Sequence, residues 1–288
     1  MKILIAGGNG NLKNTSARYF NLKYEVYAPS ELDVSSKEEV FDEVLAFMPD
    51  VVFFFPPVTD EKKAIENPDE AFKKNAYAAG LFAVAASSIG AATVLFSSYK
   101  VYGKNYEIAY KETDELNPET VLGKCLLEAE KQVMLNPKHF ILRLGEVFDT
   151  DNGIMEALES VIGKEGILKI SDDKKGSFVS AHSAALIADK LIDEGEYGIY
   201  NAALSGVGSW FSLANEIFRH LDADVKTEGV ESKDLKGGAA FEICELSLKK
   251  LIKTLKTTPL DWHDELKHII EEKLMLRQAE DALRSEEK

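Results

Sequence analysis

The sequence predicts an α/β fold, a doubly wound parallel sheet with a smaller mixed α/β lobe, and three observations carry that prediction. Short apolar or β-branched runs recur at 2–6, 25–28, 51–55, 92–97 and 140–144, and the segments between them have the apolar period of helices, the alternation expected of βαβ units. A glycine cluster, Gly7-Gly8-Asn9-Gly10, directly follows the first run. From about residue 150 onward the pattern becomes mixed, with strands near 167–170 and 198–202, which marks a second lobe. At 288 residues and 45% hydrophobic, the chain is long enough to bury both lobes on a large core.

Each element has a local reason. Lys2-Ile3-Leu4-Ile5 is a strand that ends where the glycines allow a tight turn. Ser36 followed by Glu39 reads as a capping box ahead of Val40, Phe41, Val44, Leu45 and Met48. Asn67-Pro68-Asp69-Glu70 combines an N-cap, a proline in the first helical position and first-turn acids. In the second lobe Trp210, Leu213, Ala214, Ile217, Phe218 and Leu221 form one helical stripe. The stretch 261–286 is charged without a sustained heptad, which predicts a solvated terminal helix that frays. The boundaries that follow are a nucleotide-binding lobe over 1–150, its sheet completed by later segments, a substrate-type lobe over 151–270 and a charged tail over 271–288.

Charge and residue usage exclude several classes of function. The formal net charge of -15, with no stripe of Lys and Arg interleaved with aromatics, argues against a nucleic-acid partner. No apolar run approaches the roughly 18 residues of a membrane helix, and no signal-type region opens the chain, so a cytoplasmic protein with no membrane contact is expected. Cys125 and Cys244 lie far apart, and His139, His182, His220, His263 and His268 form no ligand motif, so no metal is expected.

Gly7 to Lys13 follows strand one and opens a helix, the place where a dinucleotide pyrophosphate meets backbone N–H groups at the positive helix end. That placement makes the first lobe Rossmann-type. Lys13 stands where a third glycine would let helix and strand pack closely.

Several segments resemble dTDP-4-dehydrorhamnose reductases of the extended short-chain dehydrogenase group. They are Glu31 to Val34, Asn67-Pro68 through Asn75-Ala76, Gly90-Ala91, Lys111 to Asp114 before Asn117-Pro118, Ile170 to Asp173, Gly198 to Asn201, Gly208 to Phe211 and Pro259 to Trp262. Their order extends the resemblance over roughly 1–270. It implies NAD(P) on Gly7, Asn9, Gly10, Asn11 and Leu12, with Asp33 on the adenine side. It also implies catalysis by a Ser or Thr ending strand four, a Tyr, and a Lys four residues later, acting on a nucleotide-linked keto-sugar. In that trio the Tyr exchanges a proton with the substrate oxygen, the Lys lowers the Tyr pKa and holds the cofactor ribose, and the hydroxyl polarises the carbonyl.

The chain departs from that pattern. Ser98 retains the hydroxyl, whereas aligning Asn117 to Leu126 with the family segment sets Leu122 at the Tyr position and Leu126 at the Lys position. Neither leucine can donate a proton. Phe54-Phe55-Pro56-Pro57 replaces small residues and is expected to fill the nicotinamide side of the cleft. Glu146 brings a carboxylate that would repel an anionic sugar nucleotide, and Gly238-Ala239-Ala240-Phe241 replaces an Arg-Pro pair resembling a diphosphate clamp. These changes predict a catalytically degenerate protein, a regulatory or scaffolding subunit or a binder of a nucleotide-like ligand, with NAD(P) binding weak or lost. Its function would lie in a protein partner or homo-oligomer contact, around Trp210 and Phe211 or on the 261–286 helix. The alternative is an NAD(P)-dependent nucleotide-sugar reductase or epimerase with a non-standard proton donor near Ser98, for which Tyr99, Lys100 and Tyr102 are the candidates.

Overall fold

The computed structural model describes residues 1–8, 10–103, 108–149, 153–235 and 243–286. Its strands are β1 (Lys2–Gly7), β2 (Glu25–Tyr27), β3 (Val51–Phe55), β4 (Ala92–Ser98), β5 (His139–Leu144), β6 (Glu146–Phe148), β7 (Leu168–Ser171), β8 (Phe178–Ser180), β9 (Gly198–Ala202) and β10 (Thr227–Val230). Its α-helices are α1 (Asn11–Asn21), α2 (Lys37–Phe47), α3 (Glu61–Glu66), α4 (Pro68–Phe72), α5 (Ala78–Ser88), α6 (Val121–Val133), α7 (Gly153–Glu159), α8 (Ala181–Glu194), α9 (Trp210–His220), α10 (Lys249–Leu255) and α11 (Trp262–Glu286). Six strands make one parallel sheet in the order β2-β1-β3-β4-β5-β9, while β6 with β8 and β7 with β10 form two short parallel pairs.

Helices cover both faces of the main sheet, which is why its strands read as continuous apolar runs. Within β3, Val51, Phe53 and Phe55 pack with Phe20 of α1 and the alanines of α8. Val52 and Phe54 face the other way, among Val40 and Val44 of α2 and Phe82 of α5. The strand order reverses between β1 and β3, because β1 leads through α1 to β2 on one side while β3 adds on the other. That reversal opens a crevice at the carboxyl ends of the strands, the usual ligand position in such sheets.

Local signals are realised with adjustments. Ser36 accepts the Glu39 backbone N–H at 3.3 Å, but the Glu39 carboxylate reaches the Asp33 N–H at 2.9 Å instead of closing a reciprocal box. The reason is that the Ser36 N–H is already bonded to the Asp33 carbonyl. Asn67 precedes Pro68 at the head of α4 without a side-chain cap. The helix continues into α5 through a π-helical turn, Lys73–Tyr77, and there the buried Asn75 clamps the loop after β3. Its Oδ1 accepts from Val58 N at 2.9 Å and its Nδ2 donates to Val58 O at 2.7 Å.

The first turns of the C-terminal helix are packed rather than solvated, whereas 275–279 are exposed as expected. Trp262, Leu266 and Ile270, one stripe of α11, are buried in the same cluster as Phe178 and Leu213. Further along, Lys273 and Arg277 each bond Glu159 of α7 at 2.7 Å. Trp210 and Phe211 pack with Ile170 and Phe218 within the second lobe and are half-buried. No helix among the described residues is long and apolar enough to cross a membrane.

Candidate active site

A cavity of about 370 Å³ opens at the switch point. Its walls come from the β1–α1 turn, the loop after β3, the end of β4, α6 and the segment joining β5 to β6.

The β1–α1 wall has one glycine required by packing and one open to the cavity. Gly7 has φ of 98°, and a Cβ there would lie 1.9 Å from the Phe55 carbonyl oxygen, which lets Gly8 N bond that oxygen at 2.7 Å. Gly10, the N-cap of α1, faces open space. The first turn of α1 contains no acid and its N-cap makes no side-chain bond. Among the described residues the buried Asn11 Nδ2 group has no partner, while its Oδ1 accepts from Thr15 Oγ1 at 3.3 Å. Lys13 folds back from the helix to donate to Gly7 O at 3.3 Å, and partial burial lowers its pKa. Gly10, Asn11, Leu12 and Lys13 all line the cavity. Asn9 lies outside the described residues, as does the Gly238 to Phe241 segment. Asp33 is exposed and is not part of the cavity wall. Hydrogen bonds from the Ser35 hydroxyl and backbone hold its carboxyl below the usual carboxylate range.

The expected filling of the cleft by Phe54 to Pro57 is corrected by strand alternation. Phe54 turns to the opposite face of the sheet against Phe82, with ring centroids 5.3 Å apart. Phe55 stacks on Phe96 at 4.3 Å, and these rings with Pro56 line the cavity rather than fill it.

The opposite wall begins where β4 ends. Ser98 caps the turn Tyr99–Val101 by accepting the Lys100 N–H at 3.3 Å. Tyr99 donates its hydroxyl to Glu146 Oε2 at 2.8 Å, and Lys100 Nζ donates to the same phenolic oxygen at 2.9 Å. Register explains the meeting: β4 pairs β5 with Ser98 opposite Leu144, so the residues just beyond both strands converge. Glu146 therefore accepts from a phenol while its carboxylate lines the cavity. Leu122 and Leu126 are both buried and both line the cavity. Close packing positions them, because a Cβ on Gly123 would lie 2.4 Å from the Lys100 carbonyl oxygen.

Tyr102, the third candidate donor, is absent from that wall. It is buried, donating to Asn201 Oδ1 at 2.7 Å and accepting from Arg143 at 2.9 Å, and burial pushes its hydroxyl up to about 12. Arg143 in turn pairs with Glu130 at 2.8 Å, with the two side chains 2% and 1% exposed, and Ser97 donates to Glu130 at 2.6 Å. Sequence reading missed this network and the Tyr99–Glu146 bond. The one available signal was the presence of Arg143 and Glu130 in otherwise apolar core segments.

A family model described as the RmlD substrate binding domain matches residues 1–275. The chain belongs to this family. Among RmlD-family relatives, a dTDP-4-dehydrorhamnose reductase of Aggregatibacter actinomycetemcomitans is 29% identical over 287 residues, covering 93% of this chain and 98% of its own length. The solved structure of a dTDP-4-dehydrorhamnose reductase from Clostridium acetobutylicum superposes with a TM-score of 0.87 at 29% identity, covering 94% of this chain and 99% of that one. A Bacillus anthracis dTDP-4-dehydrorhamnose reductase in complex with NADP shares the fold, with a TM-score of 0.88 at 22% identity over 94% of this chain and 99% of that one. These full-length matches to reductases overturn the expectation of a degenerate, non-enzymatic regulatory or scaffolding subunit.

Proposed function

We propose that this protein is an NAD(P)-dependent reductase of a nucleotide-linked keto-sugar, the class to which dTDP-4-dehydrorhamnose belongs. The observation that carries this is a switch-point cavity, in an RmlD-family chain, with an uncapped helix start on one wall and the Ser98 hydroxyl and Tyr99 phenol on the other. The first wall fits a dinucleotide. Its unpartnered Asn11 Nδ2 and the open space at Gly10 suit a pyrophosphate, and the Bacillus anthracis relative holds NADP. Gly10, Asn11 and Leu12 would hold the phosphates, and Lys13 adds a cation beside them. When bound, the reduced nicotinamide supplies a hydride to the carbonyl carbon. Ser98 polarises the carbonyl oxygen. Leu122 and Leu126 stand where the family pattern has its Tyr and Lys, so they shape an apolar wall and the proton comes from the end of β4.

The test is calorimetric titration of the full chain with NADPH, followed by loss of reduced-nicotinamide absorbance on addition of dTDP-4-dehydrorhamnose. Saturable binding and stoichiometric consumption are expected. Saturable binding with no consumption of that substrate would overturn the reductase reading.

A further inference from the structure

We infer that Tyr99 is the acid that protonates the substrate oxygen, with Lys100 and Glu146 acting through it as positioning residues. This rests on the reductase reading and assigns the chemistry of the same cavity to named groups.

Three observations select Tyr99. It borders the cavity beside Ser98, whereas Tyr102 does not. Its phenolic oxygen is the middle of a directed chain, accepting from Lys100 Nζ at 2.9 Å and donating to Glu146 Oε2 at 2.8 Å. The Lys100 ammonium also lies 4.7 Å from the centre of the Tyr99 ring. Leu122 and Leu126 offer no proton from α6, and the Ser97 hydroxyl is turned away to Glu130.

A bound dihydronicotinamide would supply the hydride, its own C–H bond breaking and its ring becoming oxidised as the carbonyl carbon gains a C–H bond and the carbonyl π pair goes to oxygen. The phenolic hydrogen rotates from Glu146 towards that oxygen, the Tyr99 O–H bond breaks and the product O–H bond forms. The pair left on the phenolate is held by the Lys100 ammonium, and a proton from water restores the phenol. Lys100 and Glu146 oppose each other by charge: the cation favours the phenolate, while the carboxylate keeps the proton on the phenol until substrate replaces it as acceptor. Among the described residues, Lys100 on its own turn and Glu146 on β6 bond the Tyr99 hydroxyl. Lys13, on the opposite wall, and Asp149 also line the cavity, and the buried Cys244 thiol, pushed up to about 12 by burial, senses the Lys100 charge.

The experiment compares wild type with Tyr99→Phe, Lys100→Met and Glu146→Gln, using dTDP-4-dehydrorhamnose and NADPH, and reads kcat, the pH–rate profile and NADPH affinity. Tyr99→Phe should lower kcat by on the order of 100-fold or more with NADPH affinity unchanged. Glu146→Gln should move the alkaline limb of the rate profile to lower pH, and Lys100→Met should move it to higher pH. Full activity in Tyr99→Phe overturns the assignment while leaving the reductase reading intact. A wild type that binds NADPH and turns over nothing overturns both. Should Tyr99→Phe fail to fold, the two pH profiles decide, and alkaline limbs that do not move overturn the assignment.

Discussion

Two clusters in this protein are built from the same chemistry, a phenol, a cation and a carboxylate, yet they do different work. Tyr102, Arg143 and Glu130 lie beneath the sheet ends, each no more than 3% exposed. The Arg143 guanidinium contacts both Glu130 oxygens, Tyr102 and the Glu112 carbonyl. Tyr102 donates its hydroxyl hydrogen bond to Asn201 Oδ1. Tyr99, Lys100 and Glu146 are bonded just as closely, but on the wall of a cavity. In the first cluster the partners are fixed by burial, so replacing any one strands a desolvated group. In the second, a ligand can take over a partner's place. Closure against water, rather than residue type, separates the structural cluster from the reactive one.

The largest test of that distinction is charge removal from each carboxylate. Glu130→Gln leaves Arg143 as an uncompensated buried cation and should cost about 3–5 kcal/mol in denaturant unfolding. Glu146→Gln, beside an open cavity, should cost under about 1 kcal/mol. Equal losses at the two sites would erase the distinction.

The phenols sharpen it further. Tyr102→Phe should lower stability by about 1–3 kcal/mol, because Asn201 and Arg143 each lose a buried partner, while kcat per folded molecule stays at the wild-type value. An activity loss at Tyr102 matching that at Tyr99 would show that the buried cluster takes part in the chemistry.

The buried phenol also predicts a pH dependence. Its folded pKa, about 12, lies above the roughly 10 of an unfolded tyrosine. The folded state therefore retains a proton that the unfolded chain loses. Its contribution to stability is complete below about pH 10 and is lost as pH rises through about 12, by at most roughly 1.4 kcal/mol per pH unit. Unfolding free energies across that window should fall less steeply in Tyr102→Phe than in wild type. Parallel slopes would exclude Tyr102 as a source of the loss.

The smallest effect concerns the opposite wall. Lys13, whose side chain bonds a backbone carbonyl, resembles Lys100 in its access to the cavity rather than Arg143 in its enclosure. Lys13→Met should weaken NADPH binding roughly tenfold, about 1.4 kcal/mol, and flatten the dependence of affinity on salt with little change in melting temperature. Unchanged affinity would show that the lysine only covers the turn.

Much of the framework was legible because its causes are local. The run Val51 to Phe55 identifies a strand buried on both faces, and the glycines after Ile3 to Ala6 mark the turn that only Gly7 can make against Phe55. Segment order over most of the chain was enough to indicate the family that the match over 1–275 establishes. Local reading was misleading wherever a side chain had two directions available. Phe54 and Phe55 read alike in sequence, yet strand alternation sends one to the α5 face and the other to the cavity. The charged composition of α11 concealed the Trp262, Leu266 and Ile270 stripe that docks it.

By itself, then, the sequence determined the element types, the glycine turn after β1 and the family, because these depend on periodicity, glycine conformation and residue order along the chain. Only the tertiary structure decided which tyrosine meets the cavity and what Glu146 does. Tyr99 and Glu146 are 47 residues apart, and Tyr102 and Asn201 are 99 apart. Their meetings are set by the register of β4 on β5 and β5 on β9. Backbone pairing across the sheet fixes that register, and no periodicity within a single segment encodes it.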